Sequence, residues 1–219
     1  YGVGIGKRPG ADAWYGFGGG MFVEYAGSIV VRNTLFENNK AVGSDRTSGP
    51  GGVGAGGAMS YRNARSVTLE NVTFESNQAL GGSGAARGGG AHGGALFTFA
   101  TTLTGNNLAF RNNLAQAGSS SGNGESGGRA DALGGGGNFQ EGSKVTLRTV
   151  QASGNRAVGG NAAVNAGGGF GGAFEGERAD VTISDADIRG NLAEGGNAQN
   201  GWFGNGGGVM VIDSTLNLD

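Results

Sequence analysis

Apolar and polar residues alternate over short stretches of this chain, and the alternation changes phase at regular places. In the stretch SVTLENVTFESNQA, the apolar residues Val67 and Leu69 lie two positions apart, as do Val72 and Phe74. A spacing of two is that of a β-strand, and the step of three between the pairs shifts the phase as a corner does. The pattern predicts short strands separated by tight corners, with these four side chains pointing inward.

The same pattern recurs along the chain and ends each time in a hexapeptide like FESNQA. The hexapeptide asparagines align in one column at spacings of 38, 36, 42 and 36 residues: Asn39, Asn77, Asn113, Asn155 and Asn191. An inward Asn at the same corner of every turn can hydrogen-bond its neighbours above and below. A catalytic Asn is needed once rather than five times, so we predict a structural Asn ladder.

A second column keeps step with the first. It consists of two glycines, a small residue and a large apolar residue, in clear copies beginning at Gly56, Gly93 and Gly171 and looser copies beginning at Gly19, Gly136 and Gly207. A fixed period of this size indicates a stacked repeat architecture. The repeats are expected at 19–55, 56–92, 93–135, 136–170, 171–206 and, incomplete, 207–219.

Three short strands per repeat, stacked at roughly 4.8 Å, predict a right-handed parallel β-helix with three sheets around a narrow core. A helical repeat is excluded because apolar stripes at helical spacing are absent and glycine is too frequent. A β-propeller needs about four strands and hairpin turns per blade. We therefore predict one all-β array over residues 1–219, with about six turns of roughly 36 residues.

Composition narrows the functional classes. The 219 residues include 52 glycines, 2 prolines and no cysteine, with a formal net charge of -2. Glycine does not fall at every third position, which excludes collagen, and the lack of a basic run argues against a nucleic-acid partner. No apolar window of about 18 residues is present to span a membrane. Without cysteine, neither a disulfide framework nor a thiolate metal site is expected.

The paired signature resembles the repeat of the chlamydial polymorphic outer membrane proteins. The best matches are GGAMSY with FESNQA and GGALFT with FRNNLA, and the resemblance covers nearly the whole chain. It implies a secreted or surface-displayed β-helix with an adhesive or structural role. The chain departs from that repeat in its Gly-rich intervals and in its fourth copy, which has Gly136, Gly137 and Asn138, and Ala152 in place of Phe.

Candidate catalytic groups are few. The stretch DVTISDAD places Asp180, Asp185 and Asp187 close to Arg189. Polysaccharide-cleaving β-helices gather acidic residues on one sheet, but the equivalent positions of the preceding repeat hold Lys144, Thr149 and Gln151. A solvated corner is the favoured interpretation of this acidic stretch.

Other site types fit the sequence no better. His92 has no Ser, Asp or second His in a recognisable relation, so neither a catalytic triad nor a metal site is predicted there. The Gly-rich nonapeptides lack the Asp of calcium-binding β-roll repeats. A partial threonine column leaves ice binding as a minor alternative.

We therefore expect an extracellular or cell-surface β-helix without catalytic activity, cofactor or metal, acting as a fibre, stalk or adhesin. The alternative is a carbohydrate-active β-helix, a polysaccharide lyase or hydrolase, with its site around Asp185 and Asp187 or outside this stretch. Leu216 and Leu218 match the second strand of an unfinished sixth turn. The chain is thus expected to be part of a longer β-helix or a subunit that associates end to end.

The Gly-rich intervals keep a nearly constant length, 14 or 15 residues in four cases and 21 in one. Apolar burial alone cannot order so much backbone, so we expect main-chain hydrogen bonds between copies to stack the intervals into a lobe along one side. Its aromatic residues are candidates for lateral self-association or for contact with a host-surface or glycan ligand: Trp14, Tyr15, Phe17, Trp202 and Phe203.

Overall fold

The computed structural model describes residues 3–4, 15–121 and 130–219, which form a right-handed parallel β-helix. Each turn of the coil contributes one strand to each of four six-stranded sheets, and every strand lies beside its equivalent in the next turn. The all-β parallel fold is confirmed. The turn count differs slightly from the prediction, because about five turns are stacked rather than six.

Sheets 1 and 2 are formed by the part of each turn that surrounds the Gly pair. Sheet 1 has two-residue strands at Gly16–Phe17, Gly54–Ala55, Ala91–His92, Ala132–Leu133, Gly169–Phe170 and Gly204–Asn205. Sheet 2 has four-residue strands at Met21–Glu24, Met59–Arg62, Leu96–Phe99, Gly137–Gln140, Phe174–Glu177 and Val209–Ile212.

Sheets 3 and 4 are formed by the apolar pairs and by the end of the hexapeptide. Sheet 3 has its strands at Ser28–Glu37, Ser66–Glu75, Thr102–Arg111, Lys144–Ser153, Asp180–Arg189 and Thr215–Leu218. Sheet 4 has its strands at Val3–Gly4, Lys40–Val42, Gln78–Leu80, Leu114–Gln116, Arg156–Val158 and Leu192–Glu194.

The prediction of three sheets is wrong. The two apolar pairs of each turn lie in one strand of sheet 3, which bends at a central residue with positive φ, such as Asn71 at 54°. Asn tolerates this left-handed conformation better than most residues. The residues after the Gly pair add a strand of their own, and the Gly-rich interval adds another, so each turn crosses four sheets.

The main core lies between sheets 2 and 3, as the alternation predicts. Val67, Leu69, Val72 and Phe74 are each at most 1% exposed. Phe74 also stacks on the equivalent ring of the next turn, Phe110, with 4.8 Å between ring centroids. Inward side chains therefore contact one another both across the coil and along its axis.

Within the described residues, the Gly-rich intervals stack on one another along one side of the coil, which confirms the predicted lobe. They connect sheet 4 to sheet 1, and these two sheets enclose a thin second core of alanines, among them Ala79, Ala91 and Ala115. Main-chain hydrogen bonds join successive intervals, for example from Gly82 N to Gly52 O and from Gly118 N to Gly89 O, both 2.9 Å. Hydrogen bonds between backbones thus stack the intervals in step with the coil.

The register of the three looser Gly-pair copies differs from the prediction. The equivalents of Gly56, all with positive φ, are Gly18, Gly134 and Gly206 rather than Gly19, Gly136 and Gly207. In the fourth copy Gly137 takes the position of Leu96, and the Phe139 ring fills the space beside it. The sequence analysis assigned Phe139 as the large apolar residue of the motif, because positions 137 and 139 both face the core.

Close backbone packing makes the lobe sensitive to a single methyl group. A Cβ at Gly89 would collide with the main-chain oxygen of Gly52. We expect Gly89→Ala to lower the free energy of unfolding by about 2 kcal/mol and to speed amide hydrogen exchange in the lobe. Gly201→Ala is the matched control, because a Cβ there meets nothing within 4 Å. Equal stability of the two variants would contradict close packing of the intervals.

Candidate functional site

The five hexapeptide asparagines form a continuous ladder through the described coil. Asn39 Nδ2 donates to Asn77 Oδ1 at 3.0 Å, and the same bond links each later pair up to Asn155 and Asn191, at 2.9 to 3.0 Å. Each of these oxygens also accepts the main-chain N–H of the preceding Asn. The ladder makes its hydrogen bonds along the axis, so its geometry is that of a structural element.

A second asparagine ladder, which the sequence analysis missed, lies on the exposed corner of sheet 3. Asn71 Nδ2 donates to Asn33 Oδ1 at 2.9 Å, and Asn107 Nδ2 donates to Asn71 Oδ1 at 2.8 Å. All three residues have positive φ. This ladder could have been predicted from the ENVT and NNLA stretches, because Asn recurs in both at the corner between the two apolar pairs.

The candidate aromatic residues lie at opposite ends of the lobe. Tyr15 stacks on Phe17, with 6.1 Å between ring centroids, and Trp202 packs against Phe203 at 4.8 Å. The register equates Gly16 with Gly204 through five stacking steps, about 24 Å at roughly 4.8 Å each. They therefore belong to two separate surfaces. Trp14 lies outside the described residues.

A cleft runs along the axis where the lobe meets sheet 2. On the lobe side it presents the second residue of each sheet 1 strand, and on the other side it presents the second residue of each sheet 2 strand. Each turn of the coil contributes one layer to the cleft, and the layers are counted from the first turn. Rings from the two sides meet in the first and third layers: Phe17 contacts Phe22 at 5.5 Å, and His92 contacts Phe97 at 5.9 Å between centroids. On the sheet 2 side, Phe97, Asn138 and Glu175 are buried although they face away from the main core, whereas Phe22 in the first layer is 44% exposed.

The second layer of the cleft holds two small residues, Ala55 and Ser60, between these two aromatic layers. A cavity of about 200 Å³ opens there, and we call it the notch. Phe17 lies on one side of the notch and Phe97 on the other, with Ala55 between them. Ser60 does not line the notch: its side chain is 0% exposed, and its Oγ has no hydrogen-bond partner among the described residues.

Polar side chains form the rim of the notch. The Arg62 guanidinium lies over the rings of Phe17 and Phe99, 5.5 and 5.4 Å from their centroids. It also pairs with Glu24, with 3.3 Å between Nη1 and Oε1, so its charge is balanced. Gln140 Nε2 lies 3.3 Å from His92 Nδ1. The notch thus combines aromatic walls with a rim of hydrogen-bonding groups.

His92 therefore has partners that the sequence did not reveal. Burial lowers its pKa to about 4, so the imidazole is neutral at pH 7. A second cavity of about 270 Å³ adjoins the notch and shares Tyr15, Val53 and His92 with it. Arg87 and Asp131 supply the charged groups of this adjoining cavity.

Farther along the same cleft lies a buried acid. Glu175 is 0% exposed, accepts a hydrogen bond from Asn138 Nδ2 at its Oε2, and has no partner at Oε1 within the part of the chain that the structure describes. Burial, and to a smaller extent the negative charge of Glu177, raise the pKa of Glu175 to about 8, against the opposing effects of the Asn138 hydrogen bond and of Arg178. Within the same residues, Asn138 Oδ1 is also unpaired. A proton on Oε1 would supply a donor for that oxygen.

The acidic stretch of sheet 3 does not reach this cleft. Asp185 is the exposed corner residue of its strand, with a φ of 51°, and Asp187 pairs at 3.3 Å with Arg189, which is also exposed. Neither carboxylate lines any of the cavities described above. The geometry is that of a solvated corner, as the sequence favoured.

The described residues contain no group of three or more His, Cys, Asp or Glu side chains arranged to hold a metal ion. Over the same residues, no helix has the length and apolarity that crossing a bilayer requires.

The fold and the cleft define a right-handed parallel β-helix with a glycine-rich side lobe. In comparison with known proteins, no family model, no curated protein and no solved structure matches the chain. The resemblance to the chlamydial repeat therefore stays a prediction.

Proposed function

We propose that this protein is a structural β-helix of the extracellular space or cell surface, acting without catalysis as a fibre, stalk or adhesin. The observation that supports this role is the unbroken ladder from Asn39 to Asn191, which bonds each turn to the next. Bending the coil would strain these buried bonds and the main-chain ladders beside them. A stiff rod with a repeated outer surface suits display and contact at a distance from an attachment point.

The resemblance of GGAMSY with FESNQA to the chlamydial repeat supports the same location, because those repeats belong to surface-displayed proteins. Antibody labelling of intact cells that produce the protein tests it. We expect label on unpermeabilised cells and adhesion of protein-coated beads to a target surface. Label that needs permeabilisation, together with beads that do not adhere, would contradict the proposal.

Self-association belongs to the same proposal. Among the described residues, the first-turn strand of sheet 3 has one unpaired edge, and its Val30 and Leu35 side chains are 52% and 56% exposed. Another turn, of a longer chain or of a second copy, can pair there in the existing register.

We expect the 219-residue chain to form oligomers whose mass rises with concentration in sedimentation experiments. The double variant Val30→Lys, Leu35→Lys should shift them toward monomer, because lysine discourages edge pairing. Thr68→Lys with Thr73→Lys is the matched control, at the same positions of a turn whose edges are already paired. A monomer at every concentration, or equal loss in both double variants, would argue against edge association.

The catalytic alternative has a direct test. Turnover of common polysaccharides by the purified chain, lost on Asp185→Asn and Asp187→Asn, would overturn the non-catalytic proposal. We expect no turnover from the chain or from either variant.

A further inference from the structure

The notch has the shape of a slot between two aromatic layers. Successive turns are spaced at roughly 4.8 Å, and the layer of Ala55 and Ser60 lacks the large side chains of the layers on either side. The cavity beside Ala55 measures about 200 Å³. Phe17 and Phe97 lie on its two sides, and the Arg62 guanidinium covers part of the Phe17 ring.

In other turns, large residues occupy the position equivalent to Ala55. The slot is therefore present in this turn because its residue there is small. The equivalents of Ala55 are Phe17, His92, Leu133 and Phe170. Each of these would occupy the space that Ala55 leaves open. A bulky residue at position 55 is therefore compatible with the fold and would fill the notch.

The polar groups around the slot lie where they can meet the edge of an inserted ring. At the rim, Gln140 and the neutral His92 offer amide and imidazole groups. The Arg62 guanidinium, which also lines the notch, adds hydrogen-bond donors beside the rings of Phe17 and Phe99.

We propose that the notch binds one neutral pyranose ring of a glycan, with the adjoining cavity taking the next part of the same chain. A pyranose has apolar C–H faces, which match the aromatic sides, and hydroxyl groups around its edge, which match Arg62, Gln140 and His92. An apolar aromatic ring would bring no hydroxyl groups to these polar groups of the rim. An anionic ligand is disfavoured because Arg62 is already paired with Glu24.

This inference deepens the proposed adhesive role by naming a ligand class, and it is tested separately from cell-surface location. The probes are cellopentaose, chitopentaose and mannopentaose, with trigalacturonate, N-acetyltyrosinamide and AMP as the competing chemistries. Amide NMR shifts of the full chain report where each probe binds, and titration gives the affinity. We expect at least one neutral oligosaccharide to shift the amide signals of Ala55, His92 and Gln140.

Two variants and one control examine the site. Ala55→Leu fills the slot and should weaken binding at least about tenfold, and Gln140→Ala removes a rim group and should weaken it about fivefold. Gln151→Ala, an exposed Gln of sheet 3, should leave affinity unchanged. Thermal unfolding of each variant shows that the fold is retained, as the large residues at equivalent positions lead us to expect.

Three results would overturn the inference. The first is that none of the neutral oligosaccharides binds. The second is that Ala55→Leu binds as tightly as the unmodified chain. The third is that trigalacturonate, N-acetyltyrosinamide or AMP shifts the notch amides while neutral sugars do not. Surface labelling and bead adhesion that persist in any of these cases would leave the proposed function intact and refute the glycan site alone.

Discussion

Replacing the central asparagine of the ladder, Asn113→Ala, is expected to lower the free energy of unfolding by about 4 kcal/mol. The Asn113 amide takes part in four hydrogen bonds: its Nδ2 donates to Asn155 Oδ1 and Phe74 O, and its Oδ1 accepts from Asn77 N and Asn77 Nδ2. The substitution leaves the buried Asn77 N–H without this acceptor, and each orphaned group costs about 1 to 3 kcal/mol. The cavity left by the amide adds to the loss.

Denaturant unfolding of the two chains measures this difference. Asn106→Ala is the matched control, because Asn106 is exposed on the sheet 3 strand of the same turn. Its effect should stay below about 0.5 kcal/mol. Similar losses in both variants, or a loss below about 1 kcal/mol for Asn113→Ala, would show that the ladder contributes little to the stability of the coil.

Much of the coil was predictable because each repeat keeps the same short spacings between its apolar residues and its Asn. Inward residues such as Leu69 lie two apart within a strand, and Asn77 follows at a fixed distance, so the core and the ladder column are both visible in sequence. The number of sheets was not predictable from the sequence, because a single residue with positive φ, such as Asn71, bends the strand without interrupting its pairing.

The notch and the buried acid could not be predicted from the same reasoning. Alternation places Ser60 and Glu175 on the outer face of sheet 2, which in most β-helices meets solvent. Here the lobe covers that face, so both residues are buried. Ser60 lies five positions after Ala55, and Glu175 lies five positions after Phe170, in each case across a glycine corner. The surroundings of Ser60 and Glu175 depend on these earlier residues and on the side chains of the neighbouring turns.

The pH dependence of stability is expected to reveal this buried acid. The pKa of Glu175 is raised from 4.5 to about 8, so the folded chain binds its proton more tightly than the unfolded chain. Its contribution to stability is fully present at low pH and is lost as the pH rises from 4.5 to about 8. His92 acts in the opposite sense, because its pKa is lowered from 6.5 to about 4 and its contribution is lost as the pH falls through that range.

The two effects nearly cancel between pH 4.5 and 6.5, where each changes stability by about 1.4 kcal/mol per pH unit in opposite directions. Above pH 6.5 Glu175 alone titrates. We therefore expect the free energy of unfolding to be nearly level in the acidic range, to fall by about 2 kcal/mol between pH 6.5 and 8, and to level off again above that. Denaturant unfolding at half-unit steps of pH measures this profile.

Glu175→Gln should remove the alkaline loss. A glutamine amide supplies permanently the donor that Asn138 Oδ1 otherwise obtains from a protonated carboxyl group, and it introduces no charge at any pH. The variant is expected to be more stable than the unmodified chain by about 4 kcal/mol at pH 9, and to lose stability below pH 6.5, where His92 is no longer offset.

Glu37→Gln, a substitution of an exposed acid on sheet 3, is the control and should preserve the original profile. A flat profile between pH 6.5 and 8 in the unmodified chain would mean that Glu175 is ionised there without cost. Water would then have to reach the cleft between the lobe and sheet 2, and Glu175→Gln would give no gain at pH 9.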